Sequence, residues 1–183
     1  MSRRTVAFLV GVVVLSLAVT SLAFADGGKG KDDGKGDKRT TWQAHLNGYN
    51  EVPSLNSKGQ ATLSLALDNG TMTFRIEYSG LSGNPVVAHV HIGQVGVNGA
   101  VSFFFCGGGG KPTCPASTSG TITGTVVAAD IVGPTTQGFD AGDLDSVVAA
   151  IQHGVGYANM HTAKFPAGEI RGQLVPTGHH FGH

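Results

Sequence analysis

The chain has 183 residues, of which 29 are glycine and 7 are proline, and its 12 basic side chains balance its 12 acidic ones. Glycine makes up about 16% of the residues but follows no three-residue period, which excludes a collagen triple helix. The neutral charge and the lack of a basic stripe exclude an electrostatic interface with nucleic acid. With 40% apolar residues, many of them alternating with polar ones, the composition predicts a glycine-rich, β-rich domain.

The first 25 residues have the three parts of a signal peptide. Arg3 and Arg4 supply the positive start, an apolar run follows over 6–19, and Ala-Phe-Ala at 23–25 fits a signal peptidase. We predict cleavage after this triplet and a mature chain that is secreted, periplasmic or held in the cell envelope, without a membrane segment. An uncleaved signal anchor is the alternative, and the choice between Sec and Tat export stays open.

Two segments beside the predicted domain are expected to be flexible. Residues 26–40 alternate glycine with lysine and aspartate and contain no apolar side chain, so nothing offsets the entropy cost of ordering them. We therefore predict a disordered linker at 26–40, one domain over 41–175 and a flexible, histidine-containing tail at 176–183.

A period of two in the apolar residues predicts β-strands along most of the domain. Every second side chain is apolar in 60–67 and again in 71–78. Between them, Asp68-Asn69-Gly70 favours a tight hairpin, because asparagine and glycine tolerate positive φ. Eight short strands are expected, at 41–46, 60–67, 71–78, 86–92, 100–105, 121–127, 156–161 and 169–175. The expected fold class is all-β, an antiparallel, Greek-key-like β-sandwich or a barrel.

One segment, 143–153, breaks this period and predicts a short helix. Asp140 or Asp143 can cap its first turn, and Gly154 can end it in the left-handed conformation. We expect the helix to pack on an edge or an end of the sandwich. Its apolar residues recur at helical spacing, at Leu144, Val147, Val148 and Ile151.

The two cysteines, Cys106 and Cys114, bracket a glycine-rich loop. An exported chain with an even number of cysteines favours a disulfide bond. Closing this floppy loop would stabilise the domain by about 2–3 kcal/mol on the loop-entropy estimate. A metal-binding pair is the alternative, although no histidine lies beside the loop in the sequence.

Three segments carry a resemblance to a known family. Residues 44–53 (AHLNGYNEVP) resemble the opening of the CHRD domain, a module named from the extracellular antagonist chordin. Residues 88–93 (AHVHIG) resemble its central histidine motif, and 157–174 (YANMHTAKFPAGEIRGQL) its closing strand, turn and strand. The chain departs from the usual pattern at 106–114 and 129–139, which look like insertions. The resemblance implies an extracellular β-sandwich-like domain of the bacterial exported type, without an established catalytic activity.

Histidines form the most informative group of side chains. On a strand, His89 and His91 point to the same face, and His161 shares a face of its own strand with Tyr157 and Asn159. Pairing of the strands would bring the three imidazoles to one ion. Three imidazoles suit zinc or copper, so we predict a candidate metal site at His89, His91 and His161.

A purely structural role for the same face is the alternative. Glu51, Asn159, Glu169 and Arg171 are polar residues expected to lie near the histidines. Together they can form a hydrogen-bonded polar network that pins a corner of the sandwich without any ion.

The functional expectation is a non-enzymatic binding or structural module that recognises an extracellular or envelope protein or polymer. No Gly-x-Ser-x-Gly elbow and no phosphate-binding loop appear, so no catalytic residue is predicted. No cofactor is expected apart from copper or zinc, and the oligomeric state stays open. The alternative is a metal-binding protein, redox-active in the manner of the copper–zinc superoxide dismutases, whose copper-binding strand the His-Val-His sequence is similar to.

Overall fold

The strands and the helix lie in the part of the chain that the computed structural model describes, residues 40–177. The predicted signal peptide, nearly all of the predicted linker and the tail from residue 178 lie outside it. The elements within this range are β1 (Thr40–Asn47), β2 (Gln60–Asp68), β3 (Thr71–Ser79), β4 (Pro85–Ile92), β5 (Ala100–Cys106), β6 (Gly120–Val126), α1 (Leu144–Gln152), β7 (Gly156–Thr162), β8 (Ile170–Gln173) and β9 (Val175–Pro176). Short 3-10 turns occupy Gly48–Asn50, Ala128–Asp130 and Thr135–Gln137.

All the strands pair antiparallel in one continuous sheet. The order is β5-β4-β7-β8-β1-β2-β3-β6, and β9 adds to β1. The end strands β5 and β6 also contact each other, so the sheet curls over on itself and nearly closes. The prediction of an antiparallel all-β fold with about eight strands and one helix is confirmed.

The apolar residues fill the inside of the curled sheet. Along β3, the residues from Met72 to Tyr78 alternate between buried and exposed, and their apolar members face inward. The rings of Phe74 and Phe105 meet across the interior with centroids 4.6 Å apart. Burying each large apolar side chain contributes about 1.5–3 kcal/mol, so this core is the main source of stability.

The turn signals act as the sequence predicts. Asn69 (φ 47°) and Gly70 (φ 74°) take positive φ and join β2 to β3 in a tight hairpin. At the helix, the Asp143 carboxylate accepts a hydrogen bond from the Ser146 backbone N–H at 3.0 Å. Gly154 (φ 74°) follows the last turn in the left-handed conformation. Both predicted helix boundaries are therefore correct to within a residue or two.

Two strand ends differ from the prediction. Alternation along the predicted strand places Val86 on the same side as the buried Ala88. An irregularity in the pairing between Pro85 and Val87 instead leaves 49% of the surface of Val86 exposed. At the other end, the sheet continues past residue 175, because Pro176 pairs with Trp42 in β1. A backbone hydrogen bond from Thr177 to Thr41 also attaches the next residue to β1, so residues 176 and 177, which the sequence assigns to the tail, lie along the sheet.

The disulfide between Cys106 and Cys114 is present, with Cα atoms 5.0 Å apart. Two glycines of the loop, Gly108 and Gly109, allow the backbone to lie close to the ring of Phe104. A Cβ atom added at Gly108 or Gly109 would lie 2.6 or 2.4 Å from ring atoms of Phe104. The loop backbone therefore covers this ring, and only glycine leaves room for it. Across residues 40–177, α1 is too short to span a bilayer, and no other helix meets the length and hydropathy that a crossing needs.

Candidate functional site

The outer face of β4, β7 and β8 carries the polar residues that the sequence singled out, and most of it is covered. Every residue of β7 is buried, on both faces of the strand. Three loops cover this face. Each loop accepts hydrogen bonds from this face. Asn159 donates to the Glu51 carboxylate, and His161 donates to the Pro166 carbonyl. Arg171 donates to the carbonyls of Gln94 and Val97. Each polar atom that these loops bury requires a hydrogen-bond partner in the protein or in a ligand.

The strand pairing brings the three predicted histidines together. His89 and His91 alternate along β4, and His161 enters from β7, where it pairs with Val87. The His89 ring centroid lies 4.4 Å from that of His91 and 4.7 Å from that of His161. One ring nitrogen from each residue lies within 4.8 Å of the other two. We call these three residues the histidine cluster.

Hydrogen bonds to backbone carbonyls orient two of the rings. Nδ1 of His91 lies 3.0 Å from the Gly99 oxygen, and Nδ1 of His161 lies 2.9 Å from the Pro166 oxygen. A carbonyl only accepts, so each Nδ1 carries the hydrogen and each Nε2 keeps its lone pair. This arrangement is the one that orients histidine ligands in metal sites.

Three buried nitrogens of the histidine cluster have no hydrogen-bond partner within residues 40–177. They are Nδ1 of His89, Nε2 of His91 and Nε2 of His161. Leaving a buried polar atom unpaired costs about 1–3 kcal/mol, so three in one place require an explanation.

Burial keeps the imidazoles neutral. Together with the neighbouring His91 and His161, it lowers the pKa of His89 to about 3. Burial likewise lowers the pKa of His91 to about 4, against the opposing effect of the Gly99 carbonyl. The pKa of His161 is also below its usual value because of burial. At neutral pH all three rings are therefore uncharged, as metal ligands must be.

The distances suit a transition-metal ion after a small adjustment. Zinc binds imidazole nitrogen at about 2.0–2.1 Å, so the ligands of one ion stand roughly 3.3 Å apart. The nitrogens of the cluster, all within 4.8 Å of one another, would have to move closer together to share an ion. Within residues 40–177, no other three His, Cys, Asp or Glu side chains form such a group. The remaining histidines of this range, His45 and His153, are exposed and lie elsewhere.

The predicted polar network is divided into separate parts. Asn159 donates a hydrogen bond of 2.6 Å to Glu51, and burial raises the pKa of this glutamate although Asn159 and Arg171 oppose the shift. The Arg171 guanidinium donates to Asn98 and to the carbonyls of Gln94 and Val97. Within the described range, no ion pair joins Arg171 to either predicted glutamate.

Glu169 belongs to a different cluster, made of hydroxyl groups. Its carboxylate has no exposed surface and accepts hydrogen bonds from the hydroxyls of Ser57, Ser82 and Thr162 and from the Ser82 backbone N–H, at 2.6–2.8 Å. These donors hold the pKa of Glu169 below its usual value despite the opposing effect of burial. The carboxylate thus joins the start of β2, the β3–β4 loop and the end of β7.

A comparison with protein families shows the family of the domain. The CHRD domain profile matches residues 42–174, which include every residue of the histidine cluster and of the polar network. The chain belongs to the CHRD-domain family. No curated protein and no solved structure is significantly similar to it.

Sequence reasoning missed several residues that shape the site of this CHRD domain. Tyr157 stacks on His91, and Phe104 meets the edge of His89 at 5.3 Å between centroids. Asn98 bridges Arg171 to the carbonyl of Val52. Only Tyr157 had a signal, since it shares a strand face with His161. Asn98 comes from the loop after β4, and Phe104 lies opposite His89 in β5, the next strand along the chain.

Proposed function

We propose that this CHRD domain is an exported, non-enzymatic binding module that holds one zinc or copper ion in the histidine cluster. The observation that carries the proposal is the set of three buried, unpartnered ring nitrogens, one each from His89, His91 and His161. An ion bound there would supply the missing partner of all three at once.

The state of the rings supports the proposal. Because burial depresses the pKa values of His89 and His91 to about 3 and about 4, protons compete weakly with a metal ion. The carbonyls of Gly99 and Pro166 fix the tautomers that direct Nε2 of His91 and His161 to the ion. A site of this kind would keep its ion in mildly acidic surroundings, which suits a protein outside the cell.

The purely structural role is the competing interpretation. In that case the rings fill a dry corner of the fold, with edge-to-face contacts at 4.4 and 4.7 Å that replace hydrogen bonds. Such contacts are weaker than coordination and leave the ring nitrogens desolvated. Metal binding therefore accounts for more of the geometry.

Metal analysis of the purified full-length chain tests the proposal. The tail histidines must be replaced first (H179A, H180A, H183A), because they can bind ions independently of the domain. We expect one zinc or copper ion per chain, lost in His89→Gln and kept in the matched control His45→Gln, whose ring is exposed. A chain that binds neither ion, or a His89→Gln variant that binds as well as its parent, contradicts the proposal.

The same preparation tests the non-enzymatic part of the proposal. The copper-loaded chain is assayed for superoxide dismutation beside an equal concentration of free copper. We expect no activity attributable to the protein. Activity that is abolished by His89→Gln would favour the dismutase-like alternative instead.

A further inference from the structure

A concave site lies near the histidine cluster and is lined by none of its three residues. It is a cleft of about 440 Å³ between the 49–54 turn and the tip of the 94–97 loop. Arg171 and Gln173 of β8 contribute to its lining. This volume is within the range of small-molecule sites, about 300–1,000 Å³. We call this site the β8 cleft.

The rim of the β8 cleft carries exposed apolar surface. Val95 is 77% exposed and Tyr49 is 68% exposed, the highest values among the large apolar side chains of residues 40–177. Single exposed apolar side chains need no explanation, but here the two most exposed ones line the same cleft. An aromatic ring held open to solvent offers a flat apolar surface with a polar hydroxyl at its edge.

Hydrogen bonds hold both walls of the cleft in place without a ligand. In the 49–54 turn, the Ser54 hydroxyl donates to the Tyr49 carbonyl at 2.9 Å. The Asn98 amide donates to the Val52 carbonyl and so ties one wall to the other. Arg171 donates to the Val97 carbonyl from below. A site that is already rigid loses little entropy when it binds.

The polar groups beneath the rim are mainly acceptors. Both Nε2 hydrogens of Gln173 are given to the carbonyls of Gly93 and Gly154, which leaves its amide oxygen for a ligand. Glu51 accepts a hydrogen bond from Asn159, and the Val52 backbone N–H also stabilises its carboxylate, whose remaining lone pairs can accept from a ligand. The cleft therefore calls for a ligand that donates hydrogen bonds through hydroxyl groups.

Charge and strand pairing narrow the class of ligand. Glu51 and Arg171 both line the cleft and carry opposite charges, so it favours neither strong anions nor strong cations. A peptide cannot bind here by adding a strand to the sheet, because β8 is paired with β7 on one side and with β1 on the other. A neutral ligand with an apolar ring face and several hydroxyls fits what remains.

We infer that the β8 cleft binds a neutral saccharide unit of an extracellular polymer. The C–H face of a pyranose ring would pack on the exposed ring of Tyr49, since such hydrogens are attracted to the negative face of an aromatic ring. Its hydroxyls would donate to Glu51 and to the amide oxygen of Gln173. The inference names a partner class for the proposed binding module, and it does not depend on an ion in the histidine cluster.

Saturation-transfer NMR and calorimetry on the full-length chain test the inference with cellotetraose, maltotetraose and chitotetraose as probes. We expect at least one of them to bind with Kd below about 1 mM, typical of shallow sites. Tyr49→Ala should weaken binding at least about 10-fold, whereas Tyr49→Phe, which keeps the ring, should bind like the parent. Val95→Ala should weaken it more than the matched control Val175→Ala, whose valine is exposed in β9.

Tyr49 and Val95 are exposed, so their variants should fold normally, and a thermal melt of each verifies this. No binding of any probe up to about 10 mM, or equal binding by Tyr49→Ala, overturns the inference. Binding of an acidic oligogalacturonate alone overturns it as well. The His89→Gln variant should keep saccharide binding while it loses the ion, so failure of either site is recognised separately.

Discussion

The ring of His91 stacks on the ring of Tyr157, with centroids 4.7 Å apart and planes only 8° from parallel. The Tyr157 hydroxyl accepts a hydrogen bond from the Gly99 N–H, and the Gly99 carbonyl accepts one from His91. These contacts form a closed ring of interactions that fixes the imidazole. The Arg171 guanidinium lies 3.5 Å from the centroid of the same tyrosine, so Tyr157 also connects the histidine cluster to the β8 cleft.

Replacing Tyr157 should therefore weaken metal binding although it is not a ligand. In Tyr157→Leu the stack and the hydroxyl are both lost, and we expect the affinity for zinc to fall about 10–100-fold, as for other residues that orient ligands. Tyr157→Phe keeps the stack and should show a smaller loss. Zinc titration against a chromophoric chelator measures both, and equal affinities for the parent and Tyr157→Leu would contradict a positioning role.

The neutral histidines should make the metal-free protein sensitive to mild acid. In the unfolded chain these rings take up a proton near pH 6.5, whereas the pKa of folded His89 is about 3 and that of His91 is about 4. Below pH 6.5 the unfolded state thus binds more protons, and stability falls as the pH falls. The loss approaches about 1.4 kcal/mol per pH unit for each ring. Glu51, with its raised pKa, opposes this trend only near the range in which carboxyl groups titrate.

Urea unfolding between pH 7 and pH 5 measures this effect. The slope of stability against pH should be smaller in His89→Gln, which removes one titrating ring, and unchanged in His45→Gln. An identical slope in the parent and in His89→Gln would show that folding does not lower the pKa of His89. A bound ion should raise stability at every pH in this range and leave the slope nearly unchanged, because the rings of the folded protein are already unprotonated there.

Glu169 should be among the least replaceable residues of the domain. Its carboxylate is the common acceptor for the hydroxyls of Ser57 and Thr162 and for two groups of Ser82. Glu169→Leu strands these donors in a dry interior, and we expect a loss of about 3 kcal/mol or more in the free energy of unfolding. Glu169→Gln keeps one acceptor oxygen and should lose less.

The matched control is Glu77→Gln, which alters an exposed ion pair with Arg75 at 2.8 Å and should cost under about 1 kcal/mol. Because the pKa of Glu169 is lowered in the folded protein, its contribution is complete above its unfolded value of 4.5 and declines as the pH falls below it. A Glu169→Leu variant as stable as Glu77→Gln would contradict the role of this cluster.

The four-glycine run allows a paired comparison inside one loop. Gly109 and Gly110 both have positive φ, 55° and 77°, so alanine is strained at either position. At Gly109 the added methyl would also meet the Phe104 ring at 2.4 Å, whereas nothing lies within 4 Å at Gly110. Gly109→Ala should therefore unfold at a lower temperature than Gly110→Ala. Since Phe104 contacts His89, Gly109→Ala should also weaken metal binding, whereas Gly110→Ala should not. Equal unfolding temperatures and equal metal affinities for the two variants would show that the loop does not press on the Phe104 ring.

The local elements of this domain follow from the sequence because they depend on neighbours along the chain. Period-two alternation marks the strands, Asn69-Gly70 marks the hairpin, and Asp143 marks the start of the helix. The two-residue spacing also places His89 and His91 on one side of β4. The disulfide follows from the even number of cysteines, two, in a chain predicted to be exported.

What the tertiary structure decided is which faces are covered and by what. Alternation assigns His161 and Asn159 to the face opposite the core, but it cannot show that loops far away in the sequence bury that face. For the same reason the predicted polar network is not a single network in the structure. Glu169 accepts hydrogen bonds from hydroxyl groups, whereas Arg171 donates hydrogen bonds to loop carbonyls. The glycine excess was open to the same ambiguity: composition suggested a floppy loop at 107–110, whereas a ring contact explains Gly108 and Gly109. A side chain's direction is a local property, and its burial depends on contacts that only the folded chain makes.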